Sequence, residues 1–499
     1  MNAVVTRSQD KFSPRARALL VIPPLLKVVN GPLLGPAMLV GAGRRAGHVV
    51  TLLDLNAQWL DAGRLRAAHD EQVQGAFLGD HDRPAWVRDL EDSYHRDVAA
   101  AAGLSATQVQ QMTLQHEAVL QAARALAASE FAEPWPRLLR AQAQPQVVGI
   151  SVMYAGQVLS ALALSRLARE RWPHAMIVWG GAHVTALAEE IAAHAIYGEL
   201  VDRFVFGYAE ATWVELLDAV ASGREPPPEV CRAGQRRWLR AKEDGTVVPA
   251  FDDLARYAGR RLTLPAQVSR GCSYGKCTFC TYPAIEAQAR ALPVAPALEA
   301  VQLAAAHGGV VSFKDSFLTV ALLDELAERI AGRVRWSACT RFSSELDDAR
   351  LQKLAAAGCA TLELGLETLT RAGQRVARKA QSGPLVQAVL RAAAQAGIAL
   401  VINYMMGFPG VERQEEERTL ADLQRELNEL RELPGLRSHL ELNDLQVERG
   451  SAMGRAPAEH GVRVIERWPW STVMAWEPAP VAQTLIPLRA RGGSGKLPR

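Results

Sequence analysis

Three cysteines lie within nine positions of one another in the segment SRGCSYGKCTFCTYP. They are Cys272, Cys277 and Cys280, in the pattern C-x4-C-x2-C. Soft thiolate ligands in one loop suit an iron–sulfur cluster, zinc or cuprous ion. Structural zinc sites use four ligands, often as two separated pairs, and no fourth cysteine or histidine lies nearby at zinc-finger spacing. Three thiolates on a cluster leave one iron open to a chelating substrate, so the pattern favours a cluster over a zinc-stabilised loop or incidental cysteines.

The segments around this loop alternate between apolar strands and Ala- and Leu-rich helices. Six such units predict a partial (β/α)6 barrel over residues 263–446, with its chemistry at the C-terminal ends of the strands. The cysteines then follow the first barrel strand. The predicted strands are 263–269, 308–315, 334–340, 359–367, 398–406 and 439–446.

The first part of the chain shows the same alternation and predicts an α/β domain with a doubly wound, Rossmann-like parallel sheet over residues 1–225. A long segment poor in Gly and Pro, about 57–140, interrupts it and predicts a helical insertion. Residues 226–262 are expected to be a linker, and 447–499 a short C-terminal extension. The predicted strands of the first domain are 17–23, a run ending at Asp54, 146–154, 175–185 and DRFVFGY, with helices over 32–46, 157–172 and 210–222.

The cysteine segment resembles the cluster loop of the radical S-adenosylmethionine (radical SAM) superfamily, including the aromatic Phe279 before the last cysteine. The commonest spacing in that family is C-x3-C-x2-C, so this chain carries one extra residue. The resemblance implies a 4Fe–4S cluster whose open iron chelates the amino and carboxylate groups of S-adenosylmethionine. An electron from the cluster then cleaves the sulfonium to methionine and a 5′-deoxyadenosyl radical.

Four downstream segments resemble the family's adenosylmethionine contacts and occur in the family's order: SFKDSF, ACTR, LELGLETL and NYMMGFPGVE. Each alone has a structural alternative, an ion pair for the charged residues and an ordinary turn for the Gly-Pro stretch. The resemblance implies that the following residues bind this ligand: Asp315, Ser316, Arg341, Glu363, Glu367, Gly407 and Pro409.

The first domain resembles the cobalamin-binding domain that is fused to many radical SAM enzymes, in GPLLGPAMLVGAGRRAGHVVTLLDLN, VVGISVMY, GGAHVT and VFGYAEAT. Bulky side chains would prevent a flat corrin ring from approaching the backbone closely. The small residues Gly180, Gly181 and Ala182 would permit that approach. No D-x-H-x-x-G motif supplies a lower axial histidine. A domain that kept the fold and lost the ligand is the alternative. The implied polar contacts are Ser151, Tyr154, His183 and Thr185.

The two resemblances together imply a cobalamin-dependent methyltransferase that acts on an unactivated carbon or a phosphorus of a natural product or peptide. The expected partners are this small-molecule or peptide substrate and an electron donor such as flavodoxin or ferredoxin. A radical SAM enzyme of the same architecture that catalyses rearrangement, cyclisation or aminocarboxypropyl transfer is the alternative. A cobalamin sensor or carrier would not need the cysteine loop. Methylthiotransferases and auxiliary-cluster enzymes are disfavoured, because no cysteine precedes Cys231 and no C-terminal cysteine group exists.

Composition excludes several other classes. The net charge is +3 and the cations are scattered, so a nucleic-acid footprint is not expected. No apolar run approaches the roughly 18–20 residues of a membrane span. The N-terminus lacks the pattern of a secretory signal, and six cysteines in 499 residues are too few for a disulfide scaffold. A cytoplasmic protein is therefore expected.

Overall fold

The computed structural model describes residues 15–24, 31–61, 95–257, 262–430 and 439–479. Two six-stranded sheets, parallel except for one strand pair, dominate this part of the chain. Among the helices described, none is long and apolar enough to cross a membrane.

The first sheet belongs to the N-terminal domain. It contains β1 (Arg17–Ile22), β2 (Val49–Asp54), β3 (Val147–Ser151), β4 (Met176–Gly180), β5 (Arg203–Val205) and β6 (Val230–Cys231). The strand order is β2-β1-β3-β4-β5-β6, and only the β5–β6 pair is antiparallel among these strands. The chain moves outward in both directions from β1, so ligands are expected beyond the carboxyl ends of β1 and β3. The prediction of a doubly wound sheet is confirmed.

Helices cover both faces of this sheet. Alternate residues of β1 enter different cores, since Leu19 and Val21 pack on one face and Ala18 and Leu20 on the other. This two-sided burial explains why β1 is apolar throughout rather than alternating. The helices of this domain are α1 (Leu34–Arg45), α2 (Leu55–Asp61), α3 (95–102), α4 (Ala106–Gln111), α5 (His116–Ala127), α6 (Pro134–Arg140), α7 (Val158–Arg171), α8 (Ala182–Ala186), α9 (Ala188–Ala193) and α10 (Glu210–Ala221).

The region of the predicted insertion contains α3 to α6 in its described part, and α5 contributes Val119, Leu120 and Leu126 to the core under β3. Residues 62–94 of the insertion lie outside the described residues. The strand predicted over 175–185 is too long. It ends at Gly180, because Gly181 has φ +109° and the chain then turns into α8.

The second sheet forms the predicted partial barrel. Its strands are β7 (Thr263–Ala266), β10 (Val310–Phe313), β11 (Arg335–Thr340), β12 (Cys359–Glu367), β13 (Ala399–Met406) and β14 (His439–Asp444). They are all parallel, in the order β14-β13-β12-β11-β10-β7. The helices are α11 (Tyr282–Glu286), α12 (Ala295–Ala306), α13 (Val320–Ile330), α14 (Asp348–Ala356), α15 (Arg371–Ala377), α16 (Gly383–Ala396) and α17 (Arg413–Leu430). A two-stranded pair, β8 (Ser269–Arg270) with β9 (Arg290–Ala291), frames the cysteine loop.

The C-terminal extension returns to the N-terminal domain. It contains α18 (Ala452–Arg455) and the hairpin β15 (Val462–Arg467) and β16 (Met474–Pro478). Trp470, in the connection between these strands, is buried in the N-terminal core. Its ring packs edge-on against Tyr197 at 4.6 Å and is tilted against Trp179 at 5.6 Å.

Candidate functional site

The three predicted cluster cysteines lie in the loop after β7, at the C-terminal end of the barrel. Each carries a free, half-buried thiol. Burial is the main cause that raises the pKa of Cys277 to about 11 and that of Cys280 to about 12, and the neighbouring Cys272 contributes to both rises. Binding of a metal or cluster would displace the protons of these two thiols.

The donor set of this loop is three soft sulfur atoms. Ligands of a single metal ion converge on one point, whereas each cysteine of a cluster binds a different iron. Among the described residues, no three His, Cys, Asp or Glu side chains converge on a single-ion site. Thiolates are the ligands that iron–sulfur clusters require, so the chemistry of the loop fits such a cluster.

Backbone contacts fix the shape of the cysteine loop. Gly271 has φ +73°, and a Cβ there would lie 2.8 Å from the carbonyl of Gln288, so only glycine fits before Cys272. On the other side, Thr278 donates its N–H to the Ala377 carbonyl at 3.1 Å and its hydroxyl to the Val376 carbonyl at 2.7 Å. The loop is thus bound to the C-terminal end of α15.

Glu286, which the sequence did not single out, links three parts of the site. Its buried carboxylate accepts hydrogen bonds from the Gly271 N–H at 2.7 Å and from the Ser316 hydroxyl at 2.9 Å. It also accepts one from the Tyr208 hydroxyl at 2.9 Å, and Tyr208 belongs to the N-terminal domain, in the loop after β5. The cysteine loop, a predicted ligand residue and the first domain therefore meet at one side chain.

Arg270 forms a second link between the domains. Its guanidinium, only 1% exposed, pairs with Glu210 at 2.6 Å and Glu243 at 2.9 Å. It also lies 3.7 Å above the ring of Tyr208. Burial lowers the pKa of Arg270, but the two carboxylates outweigh that effect and raise it. The buried Glu210 and the half-buried Glu243 thus hold the residue that precedes the Gly271 turn.

Asp315 lies directly beneath the start of the cysteine loop. One carboxylate oxygen accepts bonds from the Val268 N–H at 3.1 Å, the Ser269 N–H at 2.5 Å and the Ser269 hydroxyl at 2.7 Å. The other oxygen, Oδ2, is buried and has no partner among the described residues. Desolvation raises the pKa of Asp315 to about 7. An unpaired buried carboxylate oxygen fits a cationic ligand group such as the ammonium of adenosylmethionine.

The predicted acids of β12 have different surroundings. Glu363 accepts a hydrogen bond from the amide of Asn403 at 2.8 Å and is half-buried. Glu367 is buried and pairs with Lys379 at 2.7 Å. Glu367 also has φ +67°, a strained backbone conformation of the kind that concentrates at functional sites.

The remaining predicted adenosylmethionine residues are Arg341, Gly407 and Pro409. Aromatic rings connect their segments to the cysteine loop. The Arg341 guanidinium lies 5.7 Å from the ring of Tyr274, which stands between the first two cysteines. Gly407 follows β13 with φ +87°, and its N–H donates to the Glu416 carboxylate at 2.9 Å. The residue between Gly407 and the buried Pro409 is Phe408, whose ring packs edge-on against Phe279, with centroids 6.4 Å apart.

The predicted cobalamin residues lie where the strands of the first sheet end. A Cβ on Gly181 would come within 2.4 Å of the Val152 carbonyl oxygen. The protein's own backbone, rather than a corrin ring, therefore requires a glycine at this position. Thr185 donates its hydroxyl to the Gly181 carbonyl at 2.9 Å and accepts the Gly207 N–H at 2.8 Å. Gly181 and Thr185 therefore join the loops after β4 and β5.

His183 is buried and bonds to the Trp470 carbonyl at 2.9 Å, and desolvation lowers its pKa to about 4. The structure thus gives His183 a contact with the C-terminal extension. Ser151 and Gly180 are half-buried at the strand ends, and Tyr154 is exposed. An edge of small residues and polar side chains beyond three neighbouring strands fits a flat ring.

Cys339, on β11, is a fourth thiol beside the site. Burial raises its pKa, and the charges of Glu363 and Glu367 raise it further. Its thiol donates to the Ser316 carbonyl at 3.7 Å. Cys339 stands alone in the sequence, so no cysteine-spacing pattern identified it as part of the site.

The comparisons with known proteins agree with this geometry. Residues 266–423 match the family model of the radical SAM superfamily, and residues 132–217 match that of the B12 binding domain. The chain contains a radical SAM domain and a B12-binding domain. These two domains imply three cofactors: a 4Fe–4S cluster, S-adenosylmethionine and cobalamin.

Individual relatives are distant. An uncharacterized methyltransferase of Pyrococcus horikoshii is 24% identical over 299 residues, which cover 55% of this chain and 63% of the relative. The radical SAM methyltransferase TsrM from Kitasatospora setae, with cobalamin and a [4Fe–4S] cluster bound, has a TM-score of 0.60 at 16% identity, covering 96% of this chain and 86% of that one. The cobalamin-dependent radical enzyme OxsB has a TM-score of 0.63 at 14% identity, covering 92% and 64%. Likeness at these identities shows the shared fold.

Proposed function

We propose that this chain is a cobalamin-dependent radical SAM methyltransferase that acts on an unactivated carbon or a phosphorus of a natural product or peptide. Two of the similar proteins, TsrM and the Pyrococcus horikoshii relative, are called methyltransferases. When bound, the cluster supplies the electron that cleaves adenosylmethionine, and cobalamin carries the methyl group.

The contact at Glu286 is the observation that carries this proposal. The loop after β5 and the cysteine loop share this carboxylate through Tyr208 and Gly271. Both loops lie at strand C-termini, where α/β sheets and barrels bind ligands. Two cofactors bound at these ends would face each other, as a methyl transfer that uses both requires.

The residues of the chain have distinct roles in this proposal. Cys272, Cys277 and Cys280 would hold the cluster. The open oxygen of Asp315 would receive the ammonium of adenosylmethionine, and burial around it excludes the water that would compete. Ser151, Tyr154 and Gly180, together with the loops that Gly181 and Thr185 join, would support the corrin ring.

The test follows the methyl group and does not require the substrate. The protein is reconstituted anaerobically with iron, sulfide and cobalamin, reduced, and given adenosylmethionine labelled in its methyl group. A methyltransferase produces S-adenosylhomocysteine and label on the corrin. The Cys277→Ala variant reports on the cluster, since it should lose iron and retain cobalamin.

Other outcomes would reject the proposal. Formation of 5′-deoxyadenosine without S-adenosylhomocysteine or corrin label would favour a radical SAM enzyme that does not methylate. OxsB, which has the same fold, is described only as a cobalamin-dependent radical enzyme. Failure to bind cobalamin would remove the methyl carrier. Failure to bind iron would refute the role of the cysteine loop.

A further inference from the structure

A shallow cavity of about 390 Å³ opens beside the cysteine loop. Four cations line it, Arg371, Arg375, Arg378 and Lys379, together with Tyr274. Lys379 is already paired with Glu367, but the three arginines are exposed, and no carboxylate among the described residues forms an ion pair with them. This group of residues is called the basic cavity below.

The charges of the basic cavity are unfavourable in the free protein. Arg371 and Arg375 lie at i and i+4 on α15, where like charges destabilise a helix. Arg378 follows in the left-handed region, with φ +53°. Three unpaired like charges around one concavity indicate a surface that binds a negatively charged partner.

One wall of the basic cavity is formed by Tyr274 of the cysteine loop. The Tyr274 hydroxyl donates to the Arg378 carbonyl, and Thr278, next to Cys277, binds the carbonyl of Ala377. A partner seated on the cavity would therefore lie against the loop that carries the cluster ligands. Electron tunnelling slows steeply with distance, so this is a favourable place for electron entry.

We propose that the basic cavity is the docking surface for an acidic one-electron carrier protein. This inference rests on the proposed function, because it requires a cluster on the three cysteines. In the transfer, the reduced carrier loses one electron and the cluster gains one. Complementary charge mainly raises the rate of encounter and makes that rate sensitive to salt, which suits a transient redox complex.

The test compares two double variants, each of which replaces two arginines of a seven-residue helix by glutamate. The Arg371→Glu/Arg375→Glu double variant alters the basic cavity, and Arg137→Glu/Arg140→Glu alters exposed arginines on α6 of the N-terminal domain. The reconstituted full-length enzyme is mixed with a reduced acidic flavodoxin, and bleaching of the cluster absorbance is followed by stopped flow at low and high salt. Photoreduced 5-deazariboflavin, a small neutral reductant, reports on the cluster directly.

We expect the cavity variant to be reduced by flavodoxin at least about tenfold more slowly at low salt and to lose the salt dependence of the wild type. Its reduction by deazaflavin should be unchanged, and the α6 variant should behave as the wild type. Equal flavodoxin rates in the cavity variant and the wild type would overturn the docking surface, as would an equal loss in the α6 variant. A wild-type protein without a reducible cluster would instead refute the proposed function, and this inference with it.

Discussion

Replacement of Arg270 by methionine gives the strongest test of the interface between the two domains. The change removes both ion pairs and the contact with the Tyr208 ring, and leaves the buried Glu210 with a single partner, the Asp244 N–H at 3.2 Å. Breaking a buried pair from one side costs about 3–5 kcal/mol. The lost cation–π contact places Arg270→Met toward the upper end.

Glu210→Gln should cost less, because Arg270 keeps Glu243 at 2.9 Å. A loss of about 1–3 kcal/mol is expected for the unsatisfied charged hydrogen bonds. The Arg270→Met/Glu210→Gln double variant contains neither buried charge of the pair. Its cost should therefore fall below the sum of the two single costs by at least about 1 kcal/mol.

Hydrogen exchange of the amides in 264–286 measures this effect as the free energy of local opening. A loss of 3–5 kcal/mol corresponds to roughly a 10²- to 10⁴-fold fall in protection. Arg413→Met is the matched control, since Arg413 pairs with Glu417 at 3.0 Å on the surface and should cost less than about 1 kcal/mol. Additive costs in the double variant, or equal costs at Arg270 and Arg413, would refute the assignment of this interface to a buried ion pair.

Three further predictions concern individual residues. Cys277→Ala should lose reconstituted iron whereas Cys339→Ala should retain about four irons per chain, as iron analysis will show; equal losses would contradict the ligand assignment. Because folding raises the pKa of Asp315 from 3.8 to about 7, the protonated acid stabilises the folded state, and this stabilisation is lost as the pH rises from about 4 to 7. The apo-protein's thermal midpoint should fall over that range, and Asp315→Asn should flatten the fall. Gly181→Ala should lower the free energy of unfolding in urea by about 2–4 kcal/mol. Gly47→Ala is the control and should cost about 1 kcal/mol, because Gly47 also has a positive φ but no atom lies near its Cβ position. Equal costs would contradict the clash with Val152.

The strands and the cysteine loop could be predicted because both are local properties of the sequence. Apolar runs separated by helices located the strands of both sheets along the chain except β6, and the cysteines follow β7 as predicted. Strand ends were less accurate: the strands predicted over 146–154 and 263–269 end at Ser151 and Ala266. The strand predicted over 175–185 ends at Gly180, because of the φ of Gly181 and its contact with Val152. The domain boundaries and the ligand roles of individual residues stay predictions.

The contacts that join the domains could not be predicted in this way. Tyr208 and Glu286 are 78 residues apart, and neither lies in a pattern that identifies it as a partner of the other. Arg270 looks like an ordinary surface cation in the sequence, and its burial follows from Glu210 in another domain. Such pairs depend on how the two sheets dock, which periodicity does not encode.

The contact between Trp470 and the N-terminal domain has a consequence for biosynthesis. Trp470 lies 287 residues beyond its hydrogen-bond partner His183. At about 5–20 residues per second, the ribosome needs roughly 15–60 s to cover that distance. During this interval Tyr197 and Trp179 lack the ring that covers them. The nascent N-terminal domain therefore cannot complete this part of its core until translation has reached Trp470.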